Sequence, residues 1–142
     1  MIHSVPSFGE YSKFEIRCKV PNQDGLWPAF WTFGGCNEID IFEFFSDPST
    51  PETALHKWPG DDPKMGKKHG DGTDYSPSFH TYSVEYEEFT TKFFIDDILV
   101  WYVPRLLKPP QNFLDLWSIY IGNCELECNQ GPGAYHTNLV YP

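Results

Sequence analysis

Between Lys13 and Val20 the sequence alternates without a fault: Phe14, Ile16, Cys18 and Val20 fall on one side, Lys13, Glu15, Arg17 and Lys19 on the other. A period of two is the pattern of a strand with one face in a core and the other in water. No segment of useful length carries the helical period instead, and no internal repeat is found. Pro21-Asn22-Gln23-Asp24-Gly25 closes the strand as a turn cluster. LWPAFWTF (26–33), apolar and aromatic throughout, reads as a strand covered on both faces, and Gly34-Gly35 separates it from NEIDIFEFF (37–45). Further strands are predicted at FHTYSVEYE (79–87) and at TTKFFIDDILVWYV (90–103), the latter folded into a hairpin at Asp96-Asp97. FLDLWSIYIG (113–122) is another candidate, and the tail after it is ambiguous until LVY near its end. Residues 46–78, rich in Pro, Gly, Asp and Lys, read as a long surface loop with one short strand, TALHKW (53–58). The pattern predicts a single all-β domain over 1–142, built of antiparallel sheets.

A chain of 142 residues buries about 68–70% of its unfolded surface, so it needs neither disulfides nor metals to fold. Aromatic residues make up 18%, enough to leave rings for lining a groove. A net charge of −10 argues against nucleic acid as a partner. No apolar run approaches the roughly 18 residues of a membrane span. The N-terminal MIHSVPSFGEYS shows neither the charged nor the apolar region of a signal peptide. Cys18, Cys36, Cys124 and Cys128 permit two disulfides in three pairings, and buried thiols are an equal reading. The NCELEC spacing lacks a second spaced pair or nearby histidines, which disfavours zinc.

The segment EIDIFE (38–43) holds three acids embedded among Ile and Phe, which a solvated acidic face normally lacks. Glu38 and Asp40 are two apart and share a face of a regular strand. Glu43 falls on the opposite face unless one β-bulge between Asp40 and Glu43 restores it. With that bulge the two Glu Cα atoms lie about 13 Å apart. Side chains leaning together then bring the carboxyl groups to about 5–5.5 Å, the separation of a retaining glycosidase. Asp40 between them is expected to help keep the pair in different protonation states. A solvent-facing acidic strand, or a calcium site using the same oxygens, are the alternatives on spacing alone.

With its surroundings, this segment resembles glycoside hydrolase family 16, whose bulged signature is E-x-D-x-x-E. SFGEYSKFEIRCKVP (7–21), GLWPAFWTFGG (25–35), ALHKW (54–58) and FHTYSVEYEEFTTKFFIDDILVWY (79–102) resemble family segments in the same order. Together they cover most of residues 7–103. The resemblance implies a jelly-roll β-sandwich of the concanavalin A-like kind that binds polysaccharide and hydrolyses it with retention. It implies that Glu38 is the nucleophile, Asp40 its electrostatic partner and Glu43 the general acid/base. Trp27 and Trp31 match aromatic positions, of which at least one is expected to stack on a sugar, with sandwich core as the alternative for Trp31. His56 matches a position near the cleft, with a structural role as the alternative, and His80 a position expected to pack.

Typical members are longer, with strands before the SFG segment, so the resemblance points to a shortened domain. Asn37 and Asp97 stand where the family usually has Gly. The expected substrate is a β-linked polysaccharide, β-1,3- or β-1,3/1,4-glucan before sulfated galactans, unless Lys64, Lys67 and Lys68 form a basic patch. No cofactor and no metal ligand are assigned, no oligomeric state follows, and the family resemblance implies an extracellular protein. A transglycosylase with the same carboxylates, a carbohydrate-binding protein without turnover and an inactive shortened relative remain alternatives.

Overall fold

The computed structural model describes residues 2–4, 8, 11–34, 37–57, 65–104, 118–122 and 125–126. At 2–3, 118–122 and 125–126 it describes backbone pairing alone. In chain order the strands are β1 (Ile2–His3), β2 (Lys13–Lys19), β3 (Ala29–Gly34), β4 (Asn37–Glu43), β5 (Glu52–Lys57), β6 (Met65–Lys68), β7 (His80–Tyr86), β8 (Thr90–Ile95), β9 (Ile98–Pro104), β10 (Ser118–Gly122) and β11 (Glu125–Leu126). They form two antiparallel sheets, ordered β1-β10-β3-β4-β5-β6 and β11-β2-β7-β8-β9. The fold is an antiparallel β-sandwich, as predicted, and no helix occurs among the described residues.

The alternation at 13–20 does what its period demands. Phe14, Ile16 and Cys18 are buried on β2, while Lys13, Glu15 and Arg17 point to solvent. The sheets meet through aromatic side chains: the Phe42 ring lies 4.3 Å and the Phe44 ring 6.1 Å from that of Tyr82, centroid to centroid. Tyr82, Phe42, Phe44 and Phe93 are all but fully buried. Burying each such ring is worth about 1.5–3 kcal/mol. Cys18 lies in this core. Cys36, Cys124 and Cys128, and with them the disulfide pairings and the NCELEC loop, lie outside the described residues.

Three boundaries differ from expectation. The strand read at 26–33 begins at Ala29, because Pro28 has no N–H to give a ladder and Trp27 swings out, 53% exposed. The stretch read as a loop with one strand holds a second, β6, whose four residues are all exposed and carry no period-two signal. Around β5 and β6 the chain is shaped by aspartates capping their own turns. Asp47 accepts from the Ser49 N–H and Asp74 from the Ser76 N–H, both at 2.9 Å. Of the candidate at 113–122 only β10 is described, and LVY of the tail lies outside the described residues. The Asp96-Asp97 turn is as expected: both residues sit at positive φ, +49° and +62°, as a tight two-residue hairpin turn requires.

Candidate active site

The bulge required by the spacing of EIDIFE is present. Trp31 pairs with Asp40 but Phe30 with Phe42, so Ile41 is the extra residue. On the other flank Asp40 faces Ala54 and Glu43 faces Glu52, three steps on β4 against two on β5. Residues directly opposite one another in a sheet share a face. Glu38, Asp40 and Glu43 therefore lie on one face of β4, with Trp31 and Phe33 beside them on β3 and Glu52, Ala54 and His56 on β5. Phe30, Ile39 and Phe42 take the other face, into the core. Without the bulge Glu43 would enter that core and Phe42 would be stranded outside.

His56 sits opposite Glu38 and reaches diagonally to Asp40, Nε2 to Oδ2 at 2.8 Å, with both side chains nearly buried. One ligand atom from each of Glu38, Asp40 and His56 lies within 4.8 Å of the others, so these three could hold a cation. Trp27 crosses from the segment before β3 and donates its indole N–H to Glu43 Oε1 at 3.1 Å. Its ring lies tilted on Phe45, centroids 4.6 Å apart. Both rings are about half exposed.

The half-buried Glu43 carboxyl is held above the ordinary range of glutamate. Burial out of water is the largest cause, and the charges of Glu38 and Glu52 add to it. The Trp27 N–H and a charge on His56 act the other way. A carboxyl whose pKa is raised by burial and by neighbouring acids is suited to donating a proton.

Of the residues singled out in the sequence, Glu38, Asp40, Glu43, Trp31 and His56 converge on one face and Trp27 reaches it from the edge. Trp31 is half-buried on the acid-bearing face and lies outside the core cluster. His80 packs, as expected: it bonds Asp96, and Tyr75 sets its ring edge on it at 4.9 Å. Two neighbours escaped the sequence reading. Glu52 shares the parity of Ala54 and His56 on β5, a signal available in ETALHK once the strand is started one residue earlier. Phe45 was read as part of the strand, whereas β4 ends at Glu43 and frees its ring to meet Trp27. Lys67 donates to the Val100 carbonyl and Lys68 pairs with Glu52. Lys64 lies outside the described residues.

Residues 1–116 match the glycosyl hydrolases family 16. The chain belongs to that family. A beta-glucanase of Rhodothermus marinus is 31% identical over 117 residues, 70% of this chain and 40% of that protein. The glucan endo-1,3-beta-glucosidase A1 of Niallia circulans is 30% identical over 101 residues, 61% of this chain and 15% of that protein. Among solved structures, the catalytic domain of a Thermotoga petrophila laminarinase superposes with a TM-score of 0.68 at 29% identity, over 84% of this chain and 54% of that one. A Bacteroides ovatus family 16 protein in complex with a G4G4G3G product gives 0.69 at 27% identity, over 84% and 57%. The family 16 chain thus spans less than two thirds of each of these relatives. Among its described residues no helix is long and apolar enough to cross a membrane.

Proposed function

We propose that this family 16 chain is an endo-acting retaining hydrolase of β-1,3- or β-1,3/1,4-glucan. In the first half-reaction Glu38 attacks the anomeric carbon, and the glycosidic C–O bond breaks as Glu43 gives its proton to the departing oxygen. In the second, Glu43 as carboxylate takes a proton from water, whose oxygen displaces Glu38 from the same carbon with configuration retained. Asp40, held by His56, orients the nucleophile. Trp31 and the exposed Trp27 offer ring faces to the sugars. The reading rests on one observation above all: the bulge sets Glu38 and Glu43 on a common face with Glu43 raised toward the protonated form. The names of the relatives support glucan as the substrate class, and a polymeric substrate suits an enzyme acting outside the cell.

The test is reducing-sugar release from β-1,3-, mixed-linkage and β-1,4-glucans and galactans, with Glu38→Gln as control. Release from a β-1,3-containing glucan is expected, falling about 10³-fold in the variant, the scale of losing an essential catalytic group. No release from protein that circular dichroism shows to be folded would sink the hydrolase reading and leave a sugar-binding one.

A further inference from the structure

Trp27 is exposed enough to serve as a sugar platform, yet its polar edge is committed to Glu43. A stacking platform needs only a ring face, and an indole N–H at the surface is satisfied equally well by water. Here it points at one oxygen of the acid, Oε1, at 3.1 Å. The arrangement is braced from two sides. Pro28 fixes the backbone next to Trp27, its carbonyl accepting from the Phe44 N–H at 3.0 Å where β4 ends. Phe45 supports the ring at 4.6 Å.

An indole N–H is a donor only. An oxygen that accepts from it cannot also aim a proton along the same line. We propose that Trp27 is a positioning residue for Glu43, fixing the rotation of its carboxyl and leaving Oε2 as the oxygen that gives and receives the catalytic proton. The inference rests on the acid/base role proposed above for Glu43. In the second half-reaction the same donor stabilises the carboxylate while Oε2 takes the proton from water, so one contact serves both steps.

Trp27→Phe keeps a ring against Phe45 and removes the N–H. On polymer kcat is expected to fall about 10-fold, the scale of one hydrogen bond to a charged group, with KM little changed. The sign of the pH effect follows from the donor favouring the ionised acid. Without it Glu43 holds its proton to higher pH, so the alkaline limb of the rate profile moves upward. A ring lost only as a platform would raise KM and leave that limb in place, which would overturn the proposal. A second measurement needs no turnover. In ¹⁵N-labelled protein the Trp27 indole resonance is expected to follow the titration of Glu43, and to stop doing so in Glu43→Gln. The ¹³C side-chain midpoint of Glu43 is expected to rise in Trp27→Phe. An indole signal indifferent to pH, or an unmoved midpoint, would refute the pairing. A chain that cleaves no glucan yet shows the coupled titration would overturn the hydrolase reading and support the pairing.

Discussion

Asp40 and His56 meet at 2.8 Å between β4 and β5, and Asp96 and His80 meet at 2.6 Å where the β8–β9 turn folds over β7. The chemistry of the two contacts is the same, and their settings differ. The first pair is 2% and 9% exposed and stands among Glu38, Glu43 and Glu52 on one face. The second is 46% and 16% exposed, and Asp96 spends its other oxygen on the Thr81 N–H at 2.8 Å. Asp96 also holds a positive φ, which an aspartate tolerates when its side chain bonds locally. One pair therefore fastens a hairpin. The other is set in a crowd of like charges that no scaffold requires and that works against stability. A carboxylate–histidine contact is not diagnostic by itself; the company it keeps separates the two.

The largest expected effect tests that separation directly. Asp40→Asn is expected to lower kcat about 10²-fold with little change in Tm, whereas Asp96→Ala leaves kcat/KM alone. Unchanged turnover in Asp40→Asn would break the comparison, because both pairs would then be scaffold. In thermal unfolding Asp96→Ala is expected to cost about 1 kcal/mol, or about 3–4 °C in Tm. A smaller effect sharpens the claim that the acid face is built against stability. Because folding raises the Glu43 pKa above its unfolded value near 4.3, the stability this group contributes is fully present below that value. It is lost as pH rises through the folded pKa. Glu43→Gln is therefore expected to raise Tm at pH 7 and to give no gain at pH 3. An equal gain at both would show that charge burial is not the cause. The smallest effect is at the turn: Asp97 sits at φ +62°, so Asp97→Gly should stabilise by roughly 0.5 kcal/mol without kinetic consequence. A loss of stability there would mean that the Asp97 side chain bonds in the turn as Asp96 does.

What could be read in advance follows from where the signal resides. β2 is visible because its two faces meet two different media. The bulge is legible because a parity violation, Glu43 five residues after Glu38, leaves a strand few other ways to keep both acids together. β6 is not legible: Met65-Gly66-Lys67-Lys68 lies exposed at a sheet edge, and its pairing comes from β5 rather than from its own side chains. The Trp27–Glu43 contact is likewise invisible in sequence. It depends on β3 starting only at Ala29 and on β4 ending at Glu43, and such ends are set by tertiary ladders rather than by local preference. Glu52 is hidden by a one-residue error in where β5 begins.

The pairing order of the first sheet also bears on how the molecule comes into being. β3, β4, β5 and β6 are successive neighbours, each antiparallel to the last, so the acid-bearing strands assemble through short closures. The remaining edge of β3 waits for β10, where Ser118 pairs with Phe33 across most of the chain. During synthesis the acid-bearing meander can thus be in place while β3 still presents an open ladder to any passing strand, a period of exposure to mispairing. Pulse-labelled hydrogen exchange during refolding should find the β4–β5 amides protected before those joining β3 to β10; simultaneous protection would show that the sheet closes in one step.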